Sequence, residues 1–199
     1  MDTPVPVKYI IGIDPGTNLL GFGVIKVEDR KASFVDMGVL DLRKITDSYQ
    51  KLKQIFDTVT QVIISYHGTE MALEAPFYGK NAQSLIKLGR AQGAAMMAAL
   101  HRDLPVTEYS PREVKMSVAG NGAASKEQVA MMLQKTLSFE MKVEHLDATD
   151  ALAIAMCHFY ATTSPLFGSH GSSSRHGSSS GKRSGSWDDF IKNNPDRIK

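Results

Sequence analysis

The sequence predicts an α/β fold in which a mixed five-stranded β-sheet is flanked by helices. The first forty residues contain three apolar runs of strand type separated by turn residues, as an antiparallel meander requires. Two further short apolar runs follow, and each comes after a segment whose apolar residues have helical spacing. The order β-β-β-α-β-α-β, followed by helices, favours a mixed sheet covered by helices.

Each element can be placed from periodicity and turn chemistry. The predicted elements are strands at 8–13, 21–27 and 32–40, a helix at 47–66, a strand at 70–73, a helix at about 81–101 and a strand at 106–109. Gly68 is a candidate stop signal for the first helix. Residues 110–113 and 125–128 both match the capping box, which predicts two further helices that start there.

Four carboxylates lie in three separate segments that each suit a divalent-metal site. Asp14 and Glu74 each end a short apolar strand, so we expect both at the ends of adjacent central strands, where side chains leave the core. Asp147 and Asp150 begin an apolar helix and share one of its faces. Four carboxylates brought together would repel one another, and Mg²⁺ removes this conflict because it prefers oxygen ligands. The set therefore predicts a metal-dependent nuclease.

Three of these carboxylates also have a purely structural explanation. Asp14 precedes Pro15 and Gly16, which is ordinary turn chemistry. Asp147 can cap its helix, with Asp150 in the first turn. Glu74 has no such role, because a carboxylate directly after a buried strand gains nothing there and risks burial. The metal interpretation therefore rests on the four residues together.

Composition favours one domain with a single core. The chain has 199 residues, of which 42% are hydrophobic, and this length suits one core of about 150 residues. No apolar run approaches 18 residues and no basic segment precedes a hydrophobic one at the start, so we expect neither a membrane span nor a signal peptide. The single cysteine, Cys157, lies in an apolar helical stretch and favours a buried residue in a reducing, cytoplasmic protein over a catalytic thiol.

Charge separates the body of the chain from its tail. Residues 1–160 hold 17 Lys and Arg against 18 Asp and Glu, whereas residues 161–199 hold 6 against 3. Any nucleic-acid surface of the body must therefore come from local clustering of cations. Residues 168–185 are almost wholly Ser, Gly, His, Lys and Arg, so we expect disorder there, with a possible short binding segment at 187–191.

Lys126 occupies an unusual position for a lysine. A cation in the first turn of a helix opposes the helix dipole, whereas a phosphate bound there would reverse the sign of the effect. Lys115 lies on the preceding predicted helix, and Gly120 and Gly122 between them would let backbone approach a sugar-phosphate chain. A solvated surface lysine and a plain turn are the alternatives.

Taken in order, the motifs resemble the RuvC family of bacterial Holliday junction resolvases, whose fold is RNase H-like, also called retroviral-integrase-like. The resemblance covers about residues 8 to 160. The matching segments are 11–17, 21–25, Glu74 with Phe77 and Lys80-Asn81, 88–93, 108–109, 114–115 and 147–155. The tail at 161–199 departs from the family pattern, and we place the domain boundary before it.

The resemblance implies Mg²⁺-dependent paired symmetric nicking of four-way junctions in homologous recombination and DNA repair. Asp14, Glu74, Asp147 and Asp150 match the catalytic carboxylates, which would hold two ions per active site, with Mn²⁺ able to substitute. One ion would activate water and the other would stabilise the leaving 3′ oxygen. The residues expected to bind DNA are Phe77, Lys80, Arg112, Lys115 and Lys126.

The resemblance also implies partners. Two symmetric nicks need two active sites related by a twofold axis, so we expect a homodimer. The family places its dimer contact on the helix that contains Gly89 and Gly93, although this small-residue face can instead pack on its own sheet. A branch-migration helicase complex of RuvA and RuvB is the expected assembly, with no membrane involved.

The sequence leaves three alternative functions. The Asp-x-Gly-Thr motif also occurs in sugar-kinase and actin-like ATPases, which need a second similar domain for which this chain has no room. An RNase H-like nuclease that acts on RNA is the second alternative. The third is a junction-binding module without catalysis, which would not need four carboxylates.

Overall fold

The computed structural model describes residues 6–75, 82–140 and 146–163, and within these ranges the predicted order of elements is confirmed. The strands are β1 (Lys8–Asp14), β2 (Leu19–Glu28), β3 (Lys31–Asp41), β4 (Glu70–Glu74) and β5 (Val106–Tyr109). The helices are α1 (Ser48–Ser65), α2 (Ala82–Leu100), α3 (Pro111–Ala119), α4 (Lys126–Leu137) and α5 (Leu146–Thr163).

The five strands form one mixed sheet in the order β3-β2-β1-β4-β5. The first three strands form the antiparallel meander, whereas β4 and β5 add to β1 in parallel. In the register between β1 and β4, Ile13 pairs with Leu73. Asp14 and Glu74, one residue further along, therefore lie at the same edge of the sheet, as the sequence predicts.

Helices cover both faces of the sheet. Ile11, Ile13, Met71 and Leu73 belong to the buried cluster formed with α1 and α2. Because side chains alternate along a strand, the intervening positions face the other side, where Ala72 packs with α3, α4 and α5. This alternation decides which face of the sheet receives each functional side chain.

Two glycines let α5 lie directly on the centre of the sheet. A Cβ atom at Gly12 would lie 2.0 Å from the carbonyl oxygen of Ala151 and 2.6 Å from the amide nitrogen of Ala155. A Cβ atom at Gly23 would lie 2.5 Å from the backbone of Leu152. The missing side chains therefore set the separation between α5 and strands β1 and β2.

Several element boundaries differ from the prediction by one or two residues, and the ends of α1 and α5 are the informative cases. Gly68 does not provide the left-handed residue after α1, because His67 adopts that conformation with φ of 53°, while the Gly68 N–H donates to the Ile63 carbonyl over 2.9 Å. The last helix continues to Thr163, three residues beyond the boundary placed at 160.

Cys157 is buried, as predicted, and burial raises the pKa of its thiol to about 11. In the described part of the chain, no helix combines the length and apolar character needed to cross a membrane.

Candidate active site

Two of the predicted carboxylates lie side by side at one edge of the sheet. Asp14 is the last residue of β1 and Glu74 the last of β4, and both side chains are partly exposed. The alternation along each strand directs them to the face covered by α5, as Gly12 and Glu70 two and four residues earlier also show. The ends of two parallel strands thus place two carboxylates under the start of one helix.

Asp150 completes this group from α5. The close packing of α5 on Gly12 brings its first turns over the ends of β1 and β4. The Asp150 carboxylate is 26% exposed and accepts a hydrogen bond from the Lys126 ammonium over 2.5 Å. Lys126 is the first residue of α4, so its ion pair with Asp150 offsets the unfavourable position of a cation at a helix N-terminus.

Electrostatics show that the three carboxylates interact. The pKa of Glu74 is raised from 4.5 to about 7, first by burial and then by the negative charges of Asp14 and Asp150. Lys126 and Lys115 act in the opposite direction. Without a cation, Glu74 is therefore protonated in a large share of molecules near neutral pH, and the positive charge of a bound cation would lower its pKa again.

The chemistry of the donor set fits a hard divalent cation, since all of its atoms are carboxylate oxygens. However, within the ranges that the structure describes, no three His, Cys, Asp or Glu side chains converge closely enough to hold an ion. Asp147 lies in the first turn of α5, but its side chain is outside the described residues. The structure thus brings three of the four predicted carboxylates together. For the fourth, Asp147, it gives only the position of the backbone in the first turn of α5.

The capping explanation of the two helical carboxylates is wrong. The helix begins at Leu146, so Asp147 lies inside its first turn and does not precede it. Asp150 binds a lysine of another helix, 24 residues away in sequence. Asp147 is therefore not the N-cap of α5, and Asp150 has a partner outside its own helix.

A buried amide that sequence reasoning missed braces the end of β4. Gln92 of α2 is only 4% exposed and donates to the Glu74 carbonyl over 3.3 Å and to the Glu108 carboxylate. Its neighbours on the buried face of α2 are alanines, among them Ala91 and Ala95. In the sequence, this contact is indicated only by a single polar residue, Gln92, among the alanines of the buried face of α2.

Three of the five predicted DNA-binding residues lie within the described ranges, and two do not. Lys115 of α3 and Lys126 of α4 lie close enough to the carboxylates to lower the pKa of Glu74. Arg112 is exposed on α3 and its side chain lies over Gly122, where a Cβ atom would be 2.7 Å from the arginine Cγ. Phe77 and Lys80 lie outside the described residues.

Gly89 and Gly93 lie on the outer face of α2. Apart from its chain neighbours and the nearby backbone of α2 itself, a Cβ atom at either glycine would meet no atom of the described residues within 4 Å. The alternative in which this face packs on its own sheet is therefore wrong, because Ala91, Ala95 and their buried neighbours perform that packing. The two glycines form an open face that another helix can approach.

Comparison with known proteins agrees with this arrangement. The family model described as crossover junction endodeoxyribonuclease RuvC matches residues 10–158. The RuvC protein of Christiangramia forsetii is 50% identical over 96% of this chain and 93% of its own length. The RuvC protein of Bacteroides fragilis is 48% identical, and the alignment spans 100% of both chains. The alignment with the Bacteroides protein also spans the tail, whereas the family model ends at residue 158.

A solved structure matches the fold as well. Thermus thermophilus RuvC in complex with Holliday junction substrate superposes with a TM-score of 0.70 and is 33% identical. The match covers 77% of this chain and 94% of the Thermus protein. Its identity and coverage support the RNase H-like resolvase fold that the family resemblance implies.

Proposed function

The chain belongs to the RuvC family and is a crossover junction endodeoxyribonuclease, and from this premise we propose that it resolves Holliday junctions by metal-assisted hydrolysis at Asp14, Glu74, Asp147 and Asp150. The observation that carries the proposal is the position of Asp14 and Glu74 at the ends of adjacent parallel strands, beside Asp150 of α5, and the raised pKa of Glu74 agrees with it. Catalysis would use one such site for each of two opposed DNA strands. The solved complex of the Thermus relative with a Holliday junction supports the choice of substrate.

The four carboxylates would hold Mg²⁺, with two ions per site and Mn²⁺ as a substitute. When bound, the ions would polarise the scissile phosphate, activate the attacking water and stabilise the leaving 3′ oxygen. Glu74 must give up its proton to serve as a ligand, because only the ionised carboxylate binds a hard cation well. Asp14 and Asp150, which lie before and after Glu74 in the chain, would supply further carboxylate oxygens as ligands.

Lys115 and Lys126 would receive the DNA strand at this site. Lys126 lies at the N-terminus of α4, where the backbone N–H groups also attract anions. Its ammonium can therefore exchange Asp150 for a phosphate of the substrate. Arg112 would contact the backbone further out, while Phe77 would stack on bases and Lys80 would bind phosphate, both from the segment outside the described residues.

We propose that the working form is a homodimer joined through the outer face of α2. Besides Gly89 and Gly93, this helix exposes three large apolar side chains, Ile86, Met97 and Leu100, each more than half exposed. Isolated apolar side chains are common on surfaces, but a row of them beside two open glycines suits contact with a second copy. Twofold pairing would supply the two active sites that symmetric nicking needs.

Cellular context follows from the family alone. We propose that the enzyme acts in the cytoplasm, in homologous recombination and DNA repair, together with a branch-migration helicase complex of RuvA and RuvB. The support is the family membership. No feature of the described residues is assigned to the helicase contact.

A cleavage assay tests the proposed function. The full chain is incubated with a synthetic four-way junction, linear duplex, single-stranded DNA or an RNA–DNA hybrid, with Mg²⁺ or with EDTA. We expect two symmetric nicks in the junction with Mg²⁺ only. Asp14→Asn and Asp150→Asn should abolish the nicks and retain junction binding, because each removes a metal ligand and no phosphate contact.

Three outcomes would contradict the proposal. Full turnover by Asp14→Asn or Asp150→Asn at saturating Mg²⁺ would refute the carboxylate site. Preferred cleavage of the RNA–DNA hybrid would favour an RNase H-like activity. Junction binding by the wild-type chain without any nicking would favour a binding module.

A further inference from the structure

A cleft lies on the face of the sheet opposite α5. The first turns of α1, the start of α2 and the turn after β1 enclose a volume of about 370 Å³. Its floor is formed by apolar residues such as Ile55 and Ala91. The rest of the lining is polar, with hydroxyl groups from Thr46, Ser48 and Tyr49 among others, and none of the described residues that line it is acidic.

The cleft concentrates positive charge. Lys51, Lys87 and Arg90 all line it. Lys87 and Arg90 are exposed and make no ion pair or hydrogen bond with the residues that the structure describes. Residues 1–160 carry nearly balanced charge, so three cations without a carboxylate form the kind of local cluster that attracts polyanions.

The cleft adjoins the active site through the turn that follows Asp14. Thr17 and Asn18 line the cleft, three and four residues after that carboxylate. The Lys51 ammonium donates to the Thr17 carbonyl over 3.0 Å and to the Asn18 side-chain oxygen over 3.3 Å. One wall of the cleft is thus bonded to the segment that carries Asp14.

The two faces of the sheet place cations on both sides of the carboxylates. Lys115 and Lys126 belong to helices α3 and α4, which cover the same face as α5. Lys87 and Arg90 belong to α2, which packs on the opposite face. A strand that crosses the edge of the sheet at Asp14 would therefore meet cations before and after the reactive phosphate.

We propose that the cleft between α1 and α2 binds the sugar-phosphate backbone of a junction arm as the strand passes the active site. This inference rests on the proposed junction-resolving function and assigns a DNA contact to Lys87, Arg90 and the hydroxyl groups around them. Phosphate oxygens are recognised by this combination of cations and hydroxyl donors, and such contacts set the register of the DNA without reading its sequence. The exposed Tyr49, at 74%, stands at the rim where the backbone enters.

Junction binding in a salt series tests the cleft. The full chain with Glu74→Gln, which prevents cleavage, is titrated with a labelled four-way junction between about 50 and 200 mM NaCl. Lys87→Ala should weaken binding several-fold at low salt and make the dependence of log Kd on log[NaCl] shallower by about 0.9 per lost phosphate contact. Lys87→Glu should weaken binding more, and Lys87→Arg should restore it.

Lys53 provides a matched control. It is an exposed lysine on α1, outside the cleft, and pairs with Asp57 over 2.5 Å. Lys53→Ala removes the same charge and should leave both the affinity and the salt dependence unchanged.

The proposal would be overturned if Lys87→Ala bound the junction with the affinity and salt dependence of the parent chain. It would also be overturned if Lys53→Ala lost as much affinity as Lys87→Ala. The readout is junction binding and not cleavage, so a failed cleavage assay would not decide whether the cleft binds DNA. If the wild-type chain bound junctions and failed to cut them, the proposed function would fail while the cleft measurement still stood.

Discussion

Replacing Glu74 with glutamine should stabilise the metal-free protein at pH 8, although it removes a residue of the proposed active site. The pKa of Glu74 is raised from 4.5 to about 7, mainly by burial and by Asp14 and Asp150. A carboxyl group with a raised pKa favours the folded state below its unfolded pKa, and this contribution is lost as the pH rises through the folded pKa. At pH 8 the wild-type chain must therefore ionise a group in an unfavourable setting.

The size of the effect follows from the same shift. A pKa that moves from 4.5 to about 7 corresponds to about 3 kcal/mol between the two protonation states. Because the side chain is partly exposed, solvent screening reduces this value, and we expect a gain of about 1 to 2 kcal/mol for Glu74→Gln at pH 8. At pH 4.5 the two chains should be nearly equal in stability, since Glu74 is then protonated when folded and half protonated when unfolded.

Urea unfolding in EDTA at pH 4.5 and pH 8 measures this difference. Glu140→Gln, a change at an exposed glutamate three residues beyond the end of α4, serves as the control and should be neutral. Addition of Mg²⁺ at pH 8 should stabilise the wild-type chain more than Glu74→Gln, because a ligand that binds only the folded state adds to its stability. Loss of stability in Glu74→Gln at pH 8 without metal would refute the idea that repelling, partly buried carboxylates meet here.

Three further predictions concern the scaffold. Gly12→Ala should lower stability by about 1 to 3 kcal/mol and strongly reduce cleavage, measured by urea unfolding and nicking, because its Cβ atom would displace α5 and Asp150. Hydrogen bonds from His158 and Lys8 lower the pKa of Glu70 to about 2, and the stabilisation they give is lost as the pH falls through that value. Glu70→Gln should therefore lower the free energy of unfolding by about 1 to 2 kcal/mol at pH 7 and have little effect near pH 2. An acid-unfolding series measures this difference. Truncation after Thr163 should leave a dimer that resolves junctions, by light scattering and nicking; a monomeric or inactive product would make the tail part of the enzyme.

The sequence was sufficient for the order of elements because the strand and helix periods differ and turns separate them. Asp14 and Glu74 could be placed at strand ends from their positions after apolar runs. The capping boxes at Ser110 and Ser125 form as the residue pattern indicates, because capping depends on groups three residues apart.

Contacts between distant segments could not be predicted in the same way. The pairing of Lys126 with Asp150 and the bond from Gln92 to the end of β4 depend on how whole helices are placed. Gly12 is part of a sequence motif, but its role, which is to allow the backbone of α5 to approach β1 closely, depends on the packing of the two elements. The left-handed residue after α1 is His67, since the packing of Gly68 against Ile11 and the bond of its N–H to Ile63 fix the turn one residue earlier.

The most direct test of the central claim is the anomalous scattering of Mn²⁺ in crystals of the full chain soaked with that ion. The account predicts manganese between Asp14, Glu74, Asp147 and Asp150, with Lys126 moved away from Asp150 and with the number of peaks giving the number of ions per site. Manganese bound only elsewhere, or a site in which the Lys126–Asp150 pair persists and no metal is present at saturating Mn²⁺, would contradict it.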